Sequence, residues 1–237
     1  MKALRTPDDR FANLANFPYS PNYAEIDDLE GGKLRVHYID EGPRDGNIVL
    51  LMHGEPSWSY LYRKMIPSFV AAGHRVIAPD LVGFGKSDKP TETTDYSYAR
   101  HVQWMAELLF DHLSIRKVTF FGQDWGGLIG LRLVAAEPER FSRIVVSNTG
   151  LPTGEQPPTE AFIAWRNFSQ NSPVFPIGTI VNGGSASELS AETIAAYDAP
   201  FPDDTYKAGA RILPSFVPTS IDDPAYRDNV HAWEILK

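Results

Sequence analysis

Short apolar runs recur through the first half of the chain at the spacing of strands separated by helices. Residues 34–40 alternate apolar and polar side chains, which predicts a half-buried strand. Residues 48–52 are continuously apolar, as in a parallel strand buried on both faces. Residues 75–78 and 144–146 are shorter strands of the same kind, and residues 118–121 form a strand that ends at a glycine-rich turn.

Helical periodicity fills the intervals between these runs. Residues 61–72 predict a helix that ends at Gly73, because glycine readily adopts the left-handed conformation found after helices. Residues 102–113 place their apolar side chains on one face of a second helix. Strands and helices alternate over residues 48–147, so we expect an α/β fold, a mostly parallel sheet with helices on both faces.

The pattern changes after residue 149, where proline, threonine and glycine become frequent. Residues 160–169 and 190–197 predict short helices, a flexible break is expected at Asn182–Ser185, and no strand alternation returns. The sequence therefore predicts an inserted helical cap. The expected domains are a core over residues 1–149, the cap over residues 150–225, and the start of a return to the core over residues 226–237.

The composition suits a globular protein and excludes several functions. The 237 residues are 43% hydrophobic, and a formal net charge of −8 argues against nucleic-acid binding. There is no cysteine, which excludes disulfides and thiolate catalysis, and no His, Asp or Glu cluster has metal-ligand spacing. We therefore expect no metal and no other cofactor. Residues 1–10 lack a secretory apolar segment and no run is long enough to span a membrane, which predicts a cytoplasmic protein.

One turn carries a candidate nucleophile. The segment Gly122–Gly127 (GQDWGG) lies between an apolar strand and an apolar helix, with Asp124 at its tip. Small residues two positions before and after Asp124 are typical of the turn that holds the nucleophile of serine hydrolases above the sheet. An aspartate there is ionised at neutral pH and can attack a saturated carbon to form an ester. The alternative is that Asp124 only caps the following helix.

Two backbone N–H groups, those of Glu55 and Trp125, are candidate oxyanion-hole donors. Opening an ester on Asp124 requires a tetrahedral oxyanion, which such donors stabilise. The loop His53–Pro56 follows a neighbouring strand and supplies the first donor, and the residue after the nucleophile supplies the second. Taken alone, Glu55 is better explained as an exposed loop acid, and we interpret His53 as a structural histidine rather than a base.

Two tryptophans are candidate halide ligands. Trp125 follows the nucleophile, and Trp165 lies on the first predicted cap helix between Phe162 and Phe168. An indole N–H only donates, so two of them facing one apolar cavity suit a departing anion. Phe162 and Phe168 are the expected lining of the substrate pocket. For Trp125 the alternative is ordinary packing at the start of a helix. For Trp165 it is core packing, because an aromatic stripe at helical spacing is usually core.

Three motifs, in this order, resemble those of the haloalkane dehalogenases, a branch of the α/β-hydrolases. They are His53–Arg63 (HGEPSWSYLYR), Asp80 with Gly83–Pro90 (GFGKSDKP), and Gln123–Gly127 (QDWGG). The resemblance runs from near Arg10 to the last residue. It implies an α/β-hydrolase fold with an inserted helical cap and no cofactor.

The resemblance also implies roles for single residues. Other subfamilies typically carry a halide-binding asparagine where Glu55 stands, and the position of Trp165 matches the subfamily whose second halide ligand is a cap tryptophan. The implied reaction forms an alkyl ester on Asp124, with the halide held by Trp125 and Trp165. Water then attacks the ester, assisted by a His–Asp pair, and the partners are a haloalkane and a halide ion.

The chain departs from that family in its general base. In this subfamily the triad acid follows the next sheet strand and the histidine lies further on. None of the histidines here follows a late strand: His37, His53, His74, His101, His112 and His231. We therefore expect residues 1–237 to be the N-terminal part of a dehalogenase that lacks the triad acid and base, with a C-terminal companion chain as a candidate partner.

Three other functions remain open at this stage. Epoxide hydrolases share the aspartate nucleophile and use two cap tyrosines, for which Tyr197 and Tyr206 are available, although Glu55 and the tryptophan pair argue against them. Fluoroacetate-type dehalogenases place arginines just after the nucleophile, where Gly126–Leu128 stand. A non-catalytic α/β-hydrolase relative that only binds a small ligand is the third alternative.

Overall fold

The structure, a computed structural model, describes residues 1–237 and contains eight strands. Six of them form one sheet in the order β2-β3-β5-β4-β7-β8, and β1 pairs with β6 in a separate ribbon. β4, β5, β7 and β8 are parallel, whereas β2 and β3 are antiparallel to their neighbours. The mostly parallel sheet predicted from the sequence is confirmed. The strands are β1 (Ala3–Leu4), β2 (Asn22–Asp27), β3 (Lys33–Glu41), β4 (Ile48–Met52), β5 (Arg75–Pro79), β6 (Lys89–Pro90), β7 (Val118–Gln123) and β8 (Phe141–Ser147).

Strands β4 and β7 lie side by side within the sheet. Leu50 on β4 and Phe120 on β7 are fully buried, and the burial of residues 49–52 without alternation explains why β4 is a continuous apolar run. Met52 pairs with Gly122, so the carboxyl ends of the two parallel strands meet. Ligands of open α/β sheets bind outside the carboxyl ends of the strands, and the loops that follow β4 and β7 are therefore the expected place for a site.

Eight α-helices surround the sheet or follow it. Helices α2 and α8 both pack against α3, and Arg132 of α3 donates hydrogen bonds to Asn229 and Asp228 of α8. No helix is both long and apolar enough to cross a membrane. The helices are α1 (Ile66–Ala71), α2 (Tyr98–Ala106), α3 (Trp125–Ala136), α4 (Glu160–Asn171), α5 (Ile177–Gly183), α6 (Ala191–Asp198), α7 (Ala208–Ile212) and α8 (Tyr226–Leu236).

The helix predicted over residues 61–72 is wrong in its first half. A 3-10 turn spans Ser59–Tyr62, and α1 begins only at Ile66. Pro67 explains the late start, because it has no N–H to donate to the carbonyl of Arg63 and its ring clashes with that carbonyl in a continuous helix. The Arg63 carbonyl instead accepts a hydrogen bond from the hydroxyl of Tyr19 at 3.0 Å.

The helix predicted to begin at Val102 begins earlier, at Tyr98. The hydroxyl of Ser97 accepts a hydrogen bond from the backbone N–H of Arg100, a capping signal that the apolar periodicity did not include. The end of the same segment also differs, since Glu107–His112 form a π-helix rather than an α-helix. The apolar face of the segment is buried in both geometries, so its hydrophobic pattern could not distinguish them.

Helices replace strands in the second part of the chain, as predicted. Helices α4 and α6 begin at capping hydroxyls of Thr159 and Ser190, each of which accepts a backbone N–H. The break expected at Asn182–Ser185 is partly wrong, because Asn182 lies within α5. Its side chain accepts a hydrogen bond from the backbone N–H of Leu189. The domain limits at residues 149 and 225 stay a prediction.

Candidate active site

Asp124 occupies a strained turn between β7 and α3. Its backbone angles, φ 51° and ψ −127°, lie in a region that non-glycine residues rarely adopt. Neighbouring groups hold this conformation: the Asp124 N–H donates to the carbonyl of Asn148, and the Asp124 carbonyl accepts from the hydroxyl of Thr149 at 2.7 Å and from the N–H of Gly127 at 2.8 Å. Strain of this kind, held by its surroundings, is common at functional sites.

Two glycines let the backbone segments around Asp124 approach one another. A Cβ atom at Gly126 would overlap the backbone carbonyls of Met52 and His53, so α3 can begin directly over the end of β4 only because residue 126 is glycine. A Cβ at Gly122 would crowd the backbone of Gly127. The small residues flanking Asp124, noted in the sequence, are thus required by packing.

The loop after β4 presents a hydrogen-bond donor to the candidate nucleophile. The backbone N–H of Glu55 donates to Oδ1 of Asp124 at 2.8 Å. Burial raises the pKa of Asp124 to about 6, while the backbone N–H groups of Trp125 and Glu55 act in the opposite direction by stabilising the carboxylate. The two N–H groups proposed from the sequence as oxyanion donors therefore both stabilise the ionised Asp124 carboxyl.

The side chain of Glu55 differs from the exposed loop acid that the sequence alone favoured. Its Oε1 atom is buried and has no hydrogen-bond partner within the protein. Burial, together with the nearby charge of Asp124, raises the pKa of Glu55 well above its usual range. Burial and the neighbouring Asp124 carboxylate therefore both favour the protonated form of Glu55.

His53 is fully buried, and both of its ring nitrogens are engaged by the backbone. The N–H of Leu81 donates to Nε2 at 3.0 Å, so Nε2 is the acceptor nitrogen. The proton of the neutral ring must then be on Nδ1, which donates to the carbonyl of Gly54 at 2.9 Å. Because its only lone pair on nitrogen is occupied and burial lowers its pKa, His53 is not available as a general base.

The remaining histidines have other surroundings. Nδ1 of His37 hydrogen-bonds Asp80 at 2.7 Å in the interior. His101 is fully buried against Tyr96 and Trp104, and burial lowers its pKa to about 3. The other three hydrogen-bond or pair with neighbouring residues away from the Asp124 turn: His74, His112 and His231.

The two tryptophans proposed as halide ligands have indole N–H groups without a protein acceptor. In contrast, Trp58 and Trp233 each donate to a backbone carbonyl. Trp125 is buried, with its ring edge-on to Tyr98 at 5.0 Å between centroids. Trp165 is half-buried on α4, on the part of the chain that follows the sheet. Neither indole N–H is occupied by the protein, a property that they share with the indole N–H of the buried Trp104.

The phenylalanines proposed as pocket lining lie on α4 with Trp165. Phe168 stacks on Trp165 with centroids 5.9 Å apart, and both rings approach Phe175. Phe168 remains 41% exposed, and Phe162 is half-buried beneath the guanidinium of Arg166. These contacts join Phe168 to the aromatic cluster around Trp165 and leave Phe162 outside it.

Sequence reasoning missed two groups that support the site. Thr149 holds the Asp124 carbonyl, and the hydroxyl of Ser57 donates to the carbonyl of Gly54 at 3.0 Å. Ser57 lies within the motif that begins at His53, which is the one signal that could have drawn attention to it. Thr149 follows β8 and carries no such signal, because its contact with Asp124 depends on the pairing of β7 with β8.

Comparisons with known proteins agree with this geometry. A family model described as alpha/beta hydrolase fold matches residues 47–182. A haloalkane dehalogenase of Psychrobacter cryohalolentis is 58% identical over 233 residues, which cover 98% of this chain and 77% of that protein. A haloalkane dehalogenase of Mycolicibacterium paratuberculosis is 53% identical over 236 residues, covering 100% of this chain and 78% of that protein.

A solved structure is similar over the same extent. The tetrameric haloalkane dehalogenase DpaA from Paraglaciecola agarilytica superposes with a TM-score of 0.92 at 44% identity, covering 99% of this chain and 78% of that chain. The similarity thus includes the sheet, the Asp124 turn and the helices that follow them. Since identity above 50% to such enzymes extends over nearly all of its residues, the chain belongs to the haloalkane dehalogenase family of α/β hydrolases.

Proposed function

We propose that the protein hydrolyses haloalkanes to an alcohol and a halide ion through an alkyl ester on Asp124. The observation that carries this proposal is the Asp124 carboxyl itself, lifted on a strained turn and hydrogen-bonded by the N–H of Glu55 at 2.8 Å. Membership of the haloalkane dehalogenase family supports a hydrolase that acts on carbon–halide bonds.

In the first step a carboxylate oxygen of Asp124 attacks the carbon that bears the halogen. A C–O bond forms as the C–halogen bond breaks, and the bonding electron pair leaves with the halide. The indole N–H groups of Trp125 and Trp165 would donate to that anion, and such donors stabilise the transition state because charge develops on the halogen as it departs. Phe162 and Phe168 would contact the alkyl group.

In the second step water attacks the carbonyl carbon of the ester and passes a proton to a general base. The resulting oxyanion is stabilised by the N–H groups of Glu55 and Trp125, which already bear on the Asp124 carboxyl. As this intermediate collapses, the departing alkoxide takes the proton back from the base and leaves as the alcohol, and the new carboxylic acid loses its proton to water to restore the carboxylate. Both steps are redox-neutral, so they require no electron-transfer cofactor.

We further propose that the general base comes from polypeptide outside residues 1–237, on a companion segment or chain. His53 has no free lone pair on nitrogen, and the other histidines lie in different surroundings. Strand β8 at the edge of the sheet exposes a run of apolar side chains, which suits the addition of another strand. These side chains are 44–50% exposed: Ile144, Val145 and Val146.

Epoxide hydrolysis is not favoured by the surroundings of Tyr197, one of the two tyrosines available for it. Tyr197 is buried with its ring edge-on to Tyr60, 5.3 Å between centroids. Its hydroxyl interacts with Arg63. A non-catalytic binding role would leave the strained Asp124 turn and its two donors without a function.

Incubation with 1,2-dibromoethane, with bromide and alcohol measured separately, tests the proposal. The protein should release bromide, and mass spectrometry should locate the alkyl adduct on Asp124. Asp124→Asn should abolish bromide release, because a neutral amide is a poor nucleophile. Undiminished release from Asp124→Asn, after mass spectrometry has excluded deamidation to aspartate, would refute the nucleophile assignment.

A further inference from the structure

The carbonyl of Gly54 is bound by three hydrogen-bond donors. Nδ1 of His53 donates to it at 2.9 Å, and both the backbone N–H and the hydroxyl of Ser57 donate at 3.0 Å. A carbonyl oxygen has two lone pairs, so three donors are more than most backbone carbonyls receive. The oxygen is buried together with all three donors, where water does not compete for it.

The same peptide unit supplies the donor to Asp124. The carbonyl of Gly54 and the N–H of Glu55 belong to one planar trans peptide, in which C=O and N–H point in opposite directions. Fixing the oxygen on one side therefore fixes the direction of the N–H on the other. That N–H donates to Oδ1 of Asp124 at 2.8 Å.

The Gly54–Glu55 peptide also lies in very close contact with Asp124. A Cβ atom at residue 54 would overlap the Cβ and Oδ1 atoms of Asp124, so only glycine lets the peptide reach this position. Rotation of the peptide about its flanking bonds would turn the Glu55 N–H away from the carboxyl. The donors on the Gly54 carbonyl oppose that rotation.

We propose that Ser57 is a positioning residue of the dehalogenation reaction, whose hydroxyl holds the Gly54–Glu55 peptide so that the Glu55 N–H points at Asp124. His53 is its partner in this task. Neither side chain contacts the reacting atoms, and each acts through the carbonyl of Gly54. The inference rests on the proposed function, in which the Glu55 N–H stabilises the Asp124 carboxylate and later the oxyanion.

The consequence is measurable on Asp124 without complete turnover. The Glu55 N–H favours the ionised form of Asp124, so a misdirected N–H raises the pKa of the carboxyl above about 6. Only the carboxylate attacks carbon, and the pH profile of ester formation therefore reports this pKa. A change in overall stability alone would leave that profile in place.

The test compares Ser57→Ala with Ser59→Ala. Both remove a buried hydroxyl from the same loop, but the hydroxyl of Ser59 has no hydrogen-bond partner. The rate of bromide release in the first turnover is measured with 1,2-dibromoethane from pH 5 to pH 8, and mass spectrometry confirms the adduct on Asp124. Circular dichroism checks that each variant is folded.

We expect the midpoint of the Ser57→Ala profile to move upward by about 0.3 to 1 pH unit, since one hydrogen bond has a net effect of that order. The first-turnover rate at pH 5 should then fall about two- to tenfold, with a smaller change at pH 8. Where the adduct decays after substrate is removed, its decay should also slow. Ser59→Ala should retain the wild-type profile.

A second pair of variants replaces Ser57→Ala should the latter not fold. Ser57→Thr keeps the hydroxyl, and its profile should lie closer to wild type than that of its isosteric partner Ser57→Val.

Superimposable profiles for Ser57→Ala and wild type would overturn the inference, and so would equal shifts in Ser57→Ala and Ser59→Ala. The proposed function fails separately, through bromide release that persists in Asp124→Asn. Loss of release in Asp124→Asn with no shift in Ser57→Ala would leave the nucleophile assigned and remove Ser57 from the reaction.

Discussion

The backbone N–H of Glu55 lies 2.8 Å from Oδ1 of Asp124, although the two residues are separated by 69 positions in the chain. The contact joins the loop after β4 to the turn after β7, whose strands pair in parallel with Met52 opposite Gly122. Burial and hydrogen bonding act on Asp124 in opposite directions, and burial prevails, raising its pKa to about 6. A donor from a distant part of the sequence therefore offsets part of the effect of burial on this carboxyl.

Ester formation should depend on pH through Asp124. The attacking form is the carboxylate, so the first-turnover rate of bromide release should be half-maximal near pH 6 and fall about tenfold per unit at lower pH. Rapid-quench measurements of bromide release with 1,2-dibromoethane over pH 4.5–8 test this pH dependence. A rate independent of pH down to 4.5 would mean that the Asp124 carboxyl has its ordinary pKa.

The same raised pKa predicts that Asp124 lowers the stability of the fold at high pH, although the reaction requires it. A carboxyl whose folded pKa is raised from 3.8 to about 6 destabilises the fold as pH rises through that interval, because the unfolded state loses its proton first. Asp124→Asn should therefore raise the free energy of unfolding at pH 8 by about 1–3 kcal/mol, with no gain at pH 3.5. Urea titrations at both pH values measure the difference, and equal effects at the two would contradict it.

Glu55→Gln should leave ester formation nearly unchanged. Burial and the charge of Asp124 favour the protonated form of the Glu55 carboxyl, and glutamine is the neutral isostere of that form. We expect first-turnover rates at pH 7 within about threefold of wild type, which is under 1 kcal/mol. The gain in free energy of unfolding of the variant over wild type should be larger at pH 8 than at pH 4. The reason is that the unfolded wild-type chain ionises this group at pH 8. A loss of ester formation greater than about tenfold would show that an ionised Glu55 is required.

Removing either indole donor should weaken halide binding. Trp125→Phe and Trp165→Phe keep most of the apolar volume, and each should reduce bromide affinity by about 1–3 kcal/mol. Titration with bromide, followed by the fluorescence of the remaining tryptophans, reports the affinity. Trp233→Phe is the control, since that indole N–H donates to the carbonyl of Leu151. An unmoved curve for Trp165→Phe would assign it to packing alone.

Gly54→Ala should stop ester formation by displacing the donor loop. The added Cβ would overlap Asp124, and the loop must move away for the chain to fold. We expect the first-turnover rate to fall at least about tenfold, because an oxyanion-type donor is lost and the nucleophile is crowded. Gly183→Ala on α5, where a Cβ meets no neighbour within 4 Å, is the matched control. Normal rates in Gly54→Ala would contradict the close approach.

Residues 1–237 by themselves should release about one bromide per chain and remain alkylated on Asp124, because no histidine among them is placed to activate water. Intact mass spectrometry after incubation with 1,2-dibromoethane measures the adduct, and gas chromatography measures the alcohol. Adding the C-terminal segment of a relative as a separate polypeptide should restore alcohol formation. Sustained alcohol production without it would mean that one of the histidines serves as the base.

Local sequence pattern was sufficient for several elements and misleading for others. Strand β4 and helix α3 were predicted because unbroken apolar runs and glycine punctuation act between near neighbours in the chain. The helix predicted over residues 61–72 begins too early because Pro67 prevents a continuous helix there, and the segment that forms α5 carries only the prediction of a break at Asn182–Ser185. The hydrogen bonds of the Arg63 carbonyl and of the Asn182 side chain are contacts that the local pattern does not contain.

The sequence by itself determined the turn that holds Asp124, because small residues at fixed offsets between an apolar strand and an apolar helix constrain the backbone locally. Only the tertiary structure decided the chemical states around it. The raised pKa of Glu55, the tautomer of His53 and the third donor on the Gly54 carbonyl all depend on burial and on hydrogen bonds within and between loops. Protonation and hydrogen-bond direction respond to the three-dimensional surroundings of a group, which sequence spacing does not contain.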